Sequence, residues 1–163
     1  MGLADDLLDL ADRLATPAPT VLEQASLRRA VSTAYYALFH LLAGEVGQLW
    51  QGVSATSGYG VERALEHTRM KEVSRVFSET PWTDWSGQTV AVPPELSLVA
   101  DAFVSLQHER HEADYNSGRT WAPLEAQSKI QQVRLAFQQW RAVRTQAVAQ
   151  DYLLSLLIGK KRR

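Results

Sequence analysis

The stretch Leu27-Arg28-Arg29-Ala30-Val31-Ser32-Thr33-Ala34-Tyr35-Tyr36-Ala37-Leu38-Phe39-His40 decides the fold. Its apolar residues recur at helical spacing: Leu27, Val31, Ala34, Leu38 and Leu41 fall on one face, which reaches Glu45. A second face carries Arg29, Thr33, Tyr36 and His40 in the same rhythm. The spacing predicts one long helix from about Val21 to Gly44 or slightly beyond. Thr20 stands where it can cap that helix, and Glu23 completes a capping box.

Working outward, Leu3, Leu7, Leu10 and Leu14 repeat with helical spacing, so a short helix is expected over 3–15, ended by Pro17 and Pro19. Downstream, residues 51–60 are small and rich in Gly and Ser and read as a loop. A helix follows over 61–78 with Leu65, Val73, Val76 and Phe77 inside. Residues 80–94 hold three prolines, Pro81, Pro93 and Pro94, with Trp82, Trp85 and Gly87. They read as an ordered loop capping one end of the bundle, the prolines opposing a strand near Val90 and Val92. Pro94 is a good first-turn residue for the next helix, whose seam is Leu96, Val99, Phe103 and Leu106. Asn116-Ser117-Gly118 stops it. The last helix is expected from Pro123 past Ala149 along Ile130, Val133, Phe137 and Trp140, followed by the apolar run 153–158 and Gly159-Lys160-Lys161-Arg162-Arg163. The expectation is an all-α protein: an antiparallel four-helix bundle with an additional short N-terminal helix. It forms one domain over 1–163, in which 150–163 is an apolar, then basic, extension.

Composition agrees with a folded domain. The chain has 163 residues, 45% hydrophobic and 21% charged. It has no cysteine, which excludes disulfides, thiolate metal sites and cysteine nucleophiles. Seventeen Lys and Arg against eighteen Asp and Glu give a net charge of −1, so a basic nucleic-acid footprint can only be local. No stretch reaches the ~20 apolar residues of a membrane span, and the opening Met1–Asp6 is acidic where a signal peptide is basic. A cytoplasmic protein without membrane contact is expected.

Two features hold chemistry. The core seam of the fourth helix runs on to Arg110, an arginine that must be paired or line a cleft. Asp114, one turn later, is its natural partner. The face of Arg29, Thr33, Tyr36 and His40 joins a guanidinium, hydroxyls and an imidazole, groups that bind phosphate and move protons. His108, Glu109, His111 and Glu112 miss the His-Glu-x-x-His zinc pattern and read as a solvated face; no metal and no cofactor is expected. His67 reads as an isolated helix residue.

The Leu27–His40 stretch resembles the signature helix of bacterial and archaeal HEPN-domain proteins. Glu109-Arg110-His111-Glu112-Ala113-Asp114-Tyr115 resembles their second motif in its Arg-x-x-x-Asp-Tyr form. The resemblance implies a helical bundle, a homodimer, and an RNA-targeting protein of toxin–antitoxin or phage-defence type: a divergent metal-independent ribonuclease or an RNA- or nucleotide-binding remnant of one. It points to Arg110, His111 and Tyr115 as the catalytic candidates; the helix face of Arg29, Tyr36 and His40, with Asp114 beside Arg110, supplies the substrate-binding candidates. The family's motif histidine is absent here; Tyr115 stands closest to its place. The other reading is a non-catalytic partner of a nucleotidyltransferase or similar enzyme, bound through the apolar C-terminal helix.

Overall fold

The structure, a computed structural model, describes residues 2–16, 24–51, 56–79 and 81–159. The fold is all-α apart from one two-stranded hairpin. The elements run α1 (Leu3–Ala15), α2 (Gln24–Gln51), α3 (Ser57–Arg63), α4 (His67–Glu79), β1 (Trp82–Thr83), β2 (Thr89–Val90), α5 (Pro94–Tyr115), α6 (Pro123–Val143) and α7 (Ala147–Ile158). The expected cap at Thr20 and Glu23 and the basic end at 160–163 lie outside the described residues.

Helix α2 is the centre, packed against α1, α3, α5, α6 and α7. Ala30, Ala34, Ala37, Tyr35, Leu38 and Leu42 on it are sealed from solvent. It runs on past Gly44, to Gln51. A Cβ at Gly47 would have to displace the Glu62 side chain of α3, which packs against this position. α2 and α5 run in opposite directions: Arg28 near the start of α2 meets the end of α5, while Tyr35 meets Phe103 with ring centroids 5.5 Å apart.

Two local interactions fix that register. Arg28 donates to the carbonyls of Ala113 (3.0 Å), Asn116 (2.8 Å), Ser117 (3.2 Å) and Arg119, so one guanidinium satisfies the carbonyls left bare where α5 ends. The Gln24 amide donates to the Trp121 carbonyl at 2.9 Å and accepts from its N–H at 2.7 Å.

Four expectations need correction. Residues 57–60, read as loop, open helix α3. The single helix expected over 61–78 is two, because Ala64 N–H and Leu65 N–H bond three residues back, tightening the turn and letting Leu65 bury. The expected loop over 80–94 contains a hairpin; its prolines flank the strands, so the Trp82–Val90 and Thr83–Thr89 pairs form, and Asp84 accepts from Ser86 and Gln88 across the turn. The last helix breaks at 144–146. A straight continuation would leave α7 in solvent, whereas folding back buries Val148, Ala149, Tyr152, Leu153 and Leu156. Tyr152 finds Ser74 at 2.8 Å inside. Trp82 does cover one end of the helices as expected, stacked on Phe77 at 4.6 Å with its N–H toward Asp151.

Truncating Arg28 would leave two part-buried carbonyls, of Ala113 and Arg119, and two exposed ones without their donor. We expect Arg28→Ala to lower unfolding free energy by about 2–3 kcal/mol and Arg28→Lys to recover only part of it, since an ammonium cannot span the same acceptors. Urea midpoints of the three proteins give the answer; an Arg28→Ala midpoint at the wild-type value would remove the clamp from the account.

Candidate functional site

The site is built where α2, α4 and α5 meet. On α5 the seam of Leu106 continues to Arg110, whose side chain keeps only 16% of its exposure. Its Nη1 lies 3.5 Å from Asp114 Oδ2. Its guanidinium carbon lies 5.5 Å from the Tyr35 ring centroid and 5.7 Å from that of Tyr36, in cation–π range. Its Nε is buried and has no acceptor.

Tyr35 is fully buried, and its hydroxyl lies 2.5 Å from His67 Nδ1. Burial pushes this phenol well above its usual range, with the Arg110 charge pulling the other way. His67 opens α4, stacks on Phe39 at 4.4 Å and is further fixed by Gln107, whose amide donates to the His67 carbonyl at 3.0 Å. Burial lowers the His67 pKa, and the charges of Arg110 and His40 push it the same way. Burial also lowers that of His40, opposed by Glu62. Both imidazoles are therefore neutral at pH 7.

The structure brings Arg110, Asp114 and Tyr36 together. Arg29 is exposed and shares with Asp114, Ala113, Arg28 and Leu14 an open groove of about 440 Å³. His40 sits apart from these, in a cleft of about 190 Å³ between α2 and α3 with Phe39, Tyr59, Glu62 and Arg63. His111 and Tyr115 lie exposed on α5, their rings 5.0 Å apart. Thr33 is buried, so the polar face of α2 is interrupted. Among the described residues no three His, Asp or Glu side chains gather as metal ligands.

Sequence reasoning missed Tyr35, His67 and Gln107. Tyr35 stands beside Tyr36 in the quoted stretch, but His67 and Gln107 reach the site only through packing between helices distant in the chain. Comparison with family models, curated proteins and solved structures finds no match to the chain.

Removing Asp114 leaves a sheltered guanidinium without its carboxylate. We expect Asp114→Ala to cost about 1–3 kcal/mol, and Tyr115→Phe, at an exposed ring, less than about 0.5. Equal denaturant midpoints would show that Arg110 is solvated. Because His40 and His67 are held below their unfolded values, the unfolded chain takes up protons first on acidification. Stability should be fully present above about pH 6.5, the unfolded imidazole value, and fall as pH drops below it. The fall between pH 7.5 and 5.5, read from urea midpoints, should flatten in the His40→Gln/His67→Gln double variant; an unchanged slope would assign it to other groups.

Proposed function

We propose that the chain is a HEPN-like bundle that recognises RNA through its phosphates, with Arg110 as the phosphate ligand. One observation supports this above others: Arg110 is sheltered and held in place by Asp114 and two aromatic faces, while its Nη groups, unlike Nε, are not among the atoms closed off from solvent. A phosphate reaching those Nη groups would be held by charge-assisted hydrogen bonds. Arg29, at the open groove beside Asp114, extends the same cationic surface.

If the bound phosphodiester is cleaved, Arg110 stabilises the charge that builds on the phosphorane. A neutral imidazole is the right proton acceptor for the 2′-hydroxyl at pH 7, whereas Tyr115, with a phenol reference pKa near 10, is a weak one. The toxin–antitoxin or phage-defence setting and the homodimer come from the family resemblance. The apolar run 153–158 is no argument for a dimer by itself, because α7 buries Leu153, Ser155 and Leu156 within its own chain.

A second reading, a module docked on a nucleotidyltransferase or similar enzyme, is favoured by one separate observation. Val46 and Leu49 of α2 and Leu153, Leu154 and Leu157 of α7 line an apolar groove of about 350 Å³, with Leu49 and Ile158 exposed near it.

Single-stranded RNA binding, followed by fluorescence anisotropy, tests the first reading. We expect Arg110→Ala to weaken it at least about tenfold, the worth of one charge-assisted contact, with helical content unchanged. Arg110→Lys should recover only part of the loss. A folded Arg110→Met/Asp114→Leu variant with wild-type affinity would rule Arg110 out as a ligand. In light scattering, a mass of twice the 18.2 kDa chain is expected, and a monomer at micromolar concentration would remove the dimer.

A further inference from the structure

Tyr35 fixes which ring nitrogen of His67 bears the proton. Its hydroxyl is buried and makes a single hydrogen bond, to His67 Nδ1. A buried O–H must find an acceptor, so Tyr35 donates, Nδ1 accepts, and the neutral imidazole keeps its proton on Nε2. Among the described residues His67 Nε2 makes no hydrogen bond, and it is not among the atoms closed off from solvent. Phe39 stacks on one face of the ring and Gln107 holds the backbone below it, so the ring is not free to turn.

The cluster therefore holds a guanidinium whose Nη groups are not closed off from solvent and, in His67 Nε2, a second such donor, both packed around the same pair of tyrosines. Their partners on the protein side are settled: Arg110 Nη1 faces Asp114 and His67 Nδ1 faces Tyr35. What they lack is an anion with several oxygens.

We infer that His67 is the second phosphate ligand of the Arg110 site, donating from Nε2 to the same phosphodiester, with Tyr35 as the positioning residue that sets its tautomer. The inference rests on the phosphate reading of Arg110. It supplies from α4 an imidazole that the α5 motif lacks. It also gives binding a pH dependence. In the free protein His67 faces Tyr35, Tyr36 and His40 from α2 and Arg110, with Asp114 behind it, from α5, while Glu62 of α3 acts on His40. The nearby cations oppose charging the ring. A bound phosphate favours it; the added proton goes on Nδ1, with the Tyr35 hydroxyl turning from donor to acceptor, so binding draws in a proton and affinity rises as pH falls from 8 toward 6.

A 2′-O-methyl RNA octamer, which no 2′-hydroxyl attack can cleave, is the probe. Its affinity is measured at pH 6 and 8 for the wild type, Arg110→Ala, His67→Phe, His67→Gln and Tyr35→Phe, each checked by circular dichroism. His67→Phe should bind about tenfold more weakly at pH 6 and lose the pH dependence. His67→Gln, which keeps an N–H donor, should recover part of the affinity at pH 8 but not the pH dependence. Tyr35→Phe should weaken binding less, about threefold. Independently, the long-range ¹H–¹⁵N spectrum of the unliganded wild type should show His67 protonated on Nε2, and that resonance should move when the octamer is added. Wild-type affinity and slope in folded His67→Phe, while Arg110→Ala loses binding, would overturn the role of His67 and leave Arg110 standing. Wild-type binding in both would overturn both. A proton on Nδ1 in the unliganded spectrum would overturn the tautomer argument even if His67→Phe does not fold.

Discussion

The register between α2 and α5 is the constraint on which the rest depends. It is set at one end by Arg28, whose guanidinium reaches the carbonyls of Ala113, Asn116, Ser117 and Arg119, and supported by Gln24 paired to the backbone of Trp121. These are polar contacts with fixed geometry, unlike the apolar seam beneath them, which tolerates sliding by a turn. Because they hold, Tyr35 and Tyr36 stand opposite Arg110 and not opposite Leu106 or Ala113. A slip by one turn, about 5.4 Å, would take the guanidinium off both rings.

The Tyr35 hydroxyl places a second demand on the chain. It lies in the core, where a phenol without a partner is costly, and the acceptor that meets it begins α4. This gives the break between α3 and α4 a meaning beyond geometry. Continuous helix from 61 to 78 would bring another residue, or the same residue at another angle, to Tyr35. The tight turn at Ala64 and Leu65 lets α3 lie on α2 over Gly47 while α4 starts at the histidine. Fold and site share this turn.

What was legible in the sequence was local. Helical spacing marked α1, α2, α5 and the seam of α6, and the prolines at 94 and 123 marked two starts, because those signals act within a few residues. The Arg110–Asp114 pair was legible for the same reason, being one turn apart on one helix. The break between α6 and α7 was not, since 144–146 contains neither glycine nor proline; the chain turns there because α7 is apolar on most sides and needs α4 and α2 to cover it. The hairpin was missed by weighing the prolines without their positions. Tyr35 and His67 are 32 residues apart, and Arg28 reaches acceptors 85 to 91 residues away. No periodicity reports a contact at that distance, so attention fell on Arg29, His40, His111 and Tyr115, which share helices with the landmarks.

A chain of net charge −1 does not attract phosphate globally, so any recognition must come from how single cations are used. Most partly sheltered arginines here are committed. Arg28 is given to backbone carbonyls. Arg119 sits between Glu109 and Glu125 with its plane 4.0 Å over Trp121, and Glu109 also holds Lys129. Arg134 faces Asp12, and Arg144 faces Glu45. Arg110 differs in kind. It has one carboxylate at 3.5 Å, two aromatic faces that stabilise charge without accepting its N–H groups, and a donor in the interior with nothing to receive it. Aromatic faces hold a guanidinium in place while leaving its in-plane donors available, which is the arrangement an anion requires. Asp114 keeps the guanidinium from standing uncompensated, and does so through one contact at 3.5 Å instead of a bidentate pair.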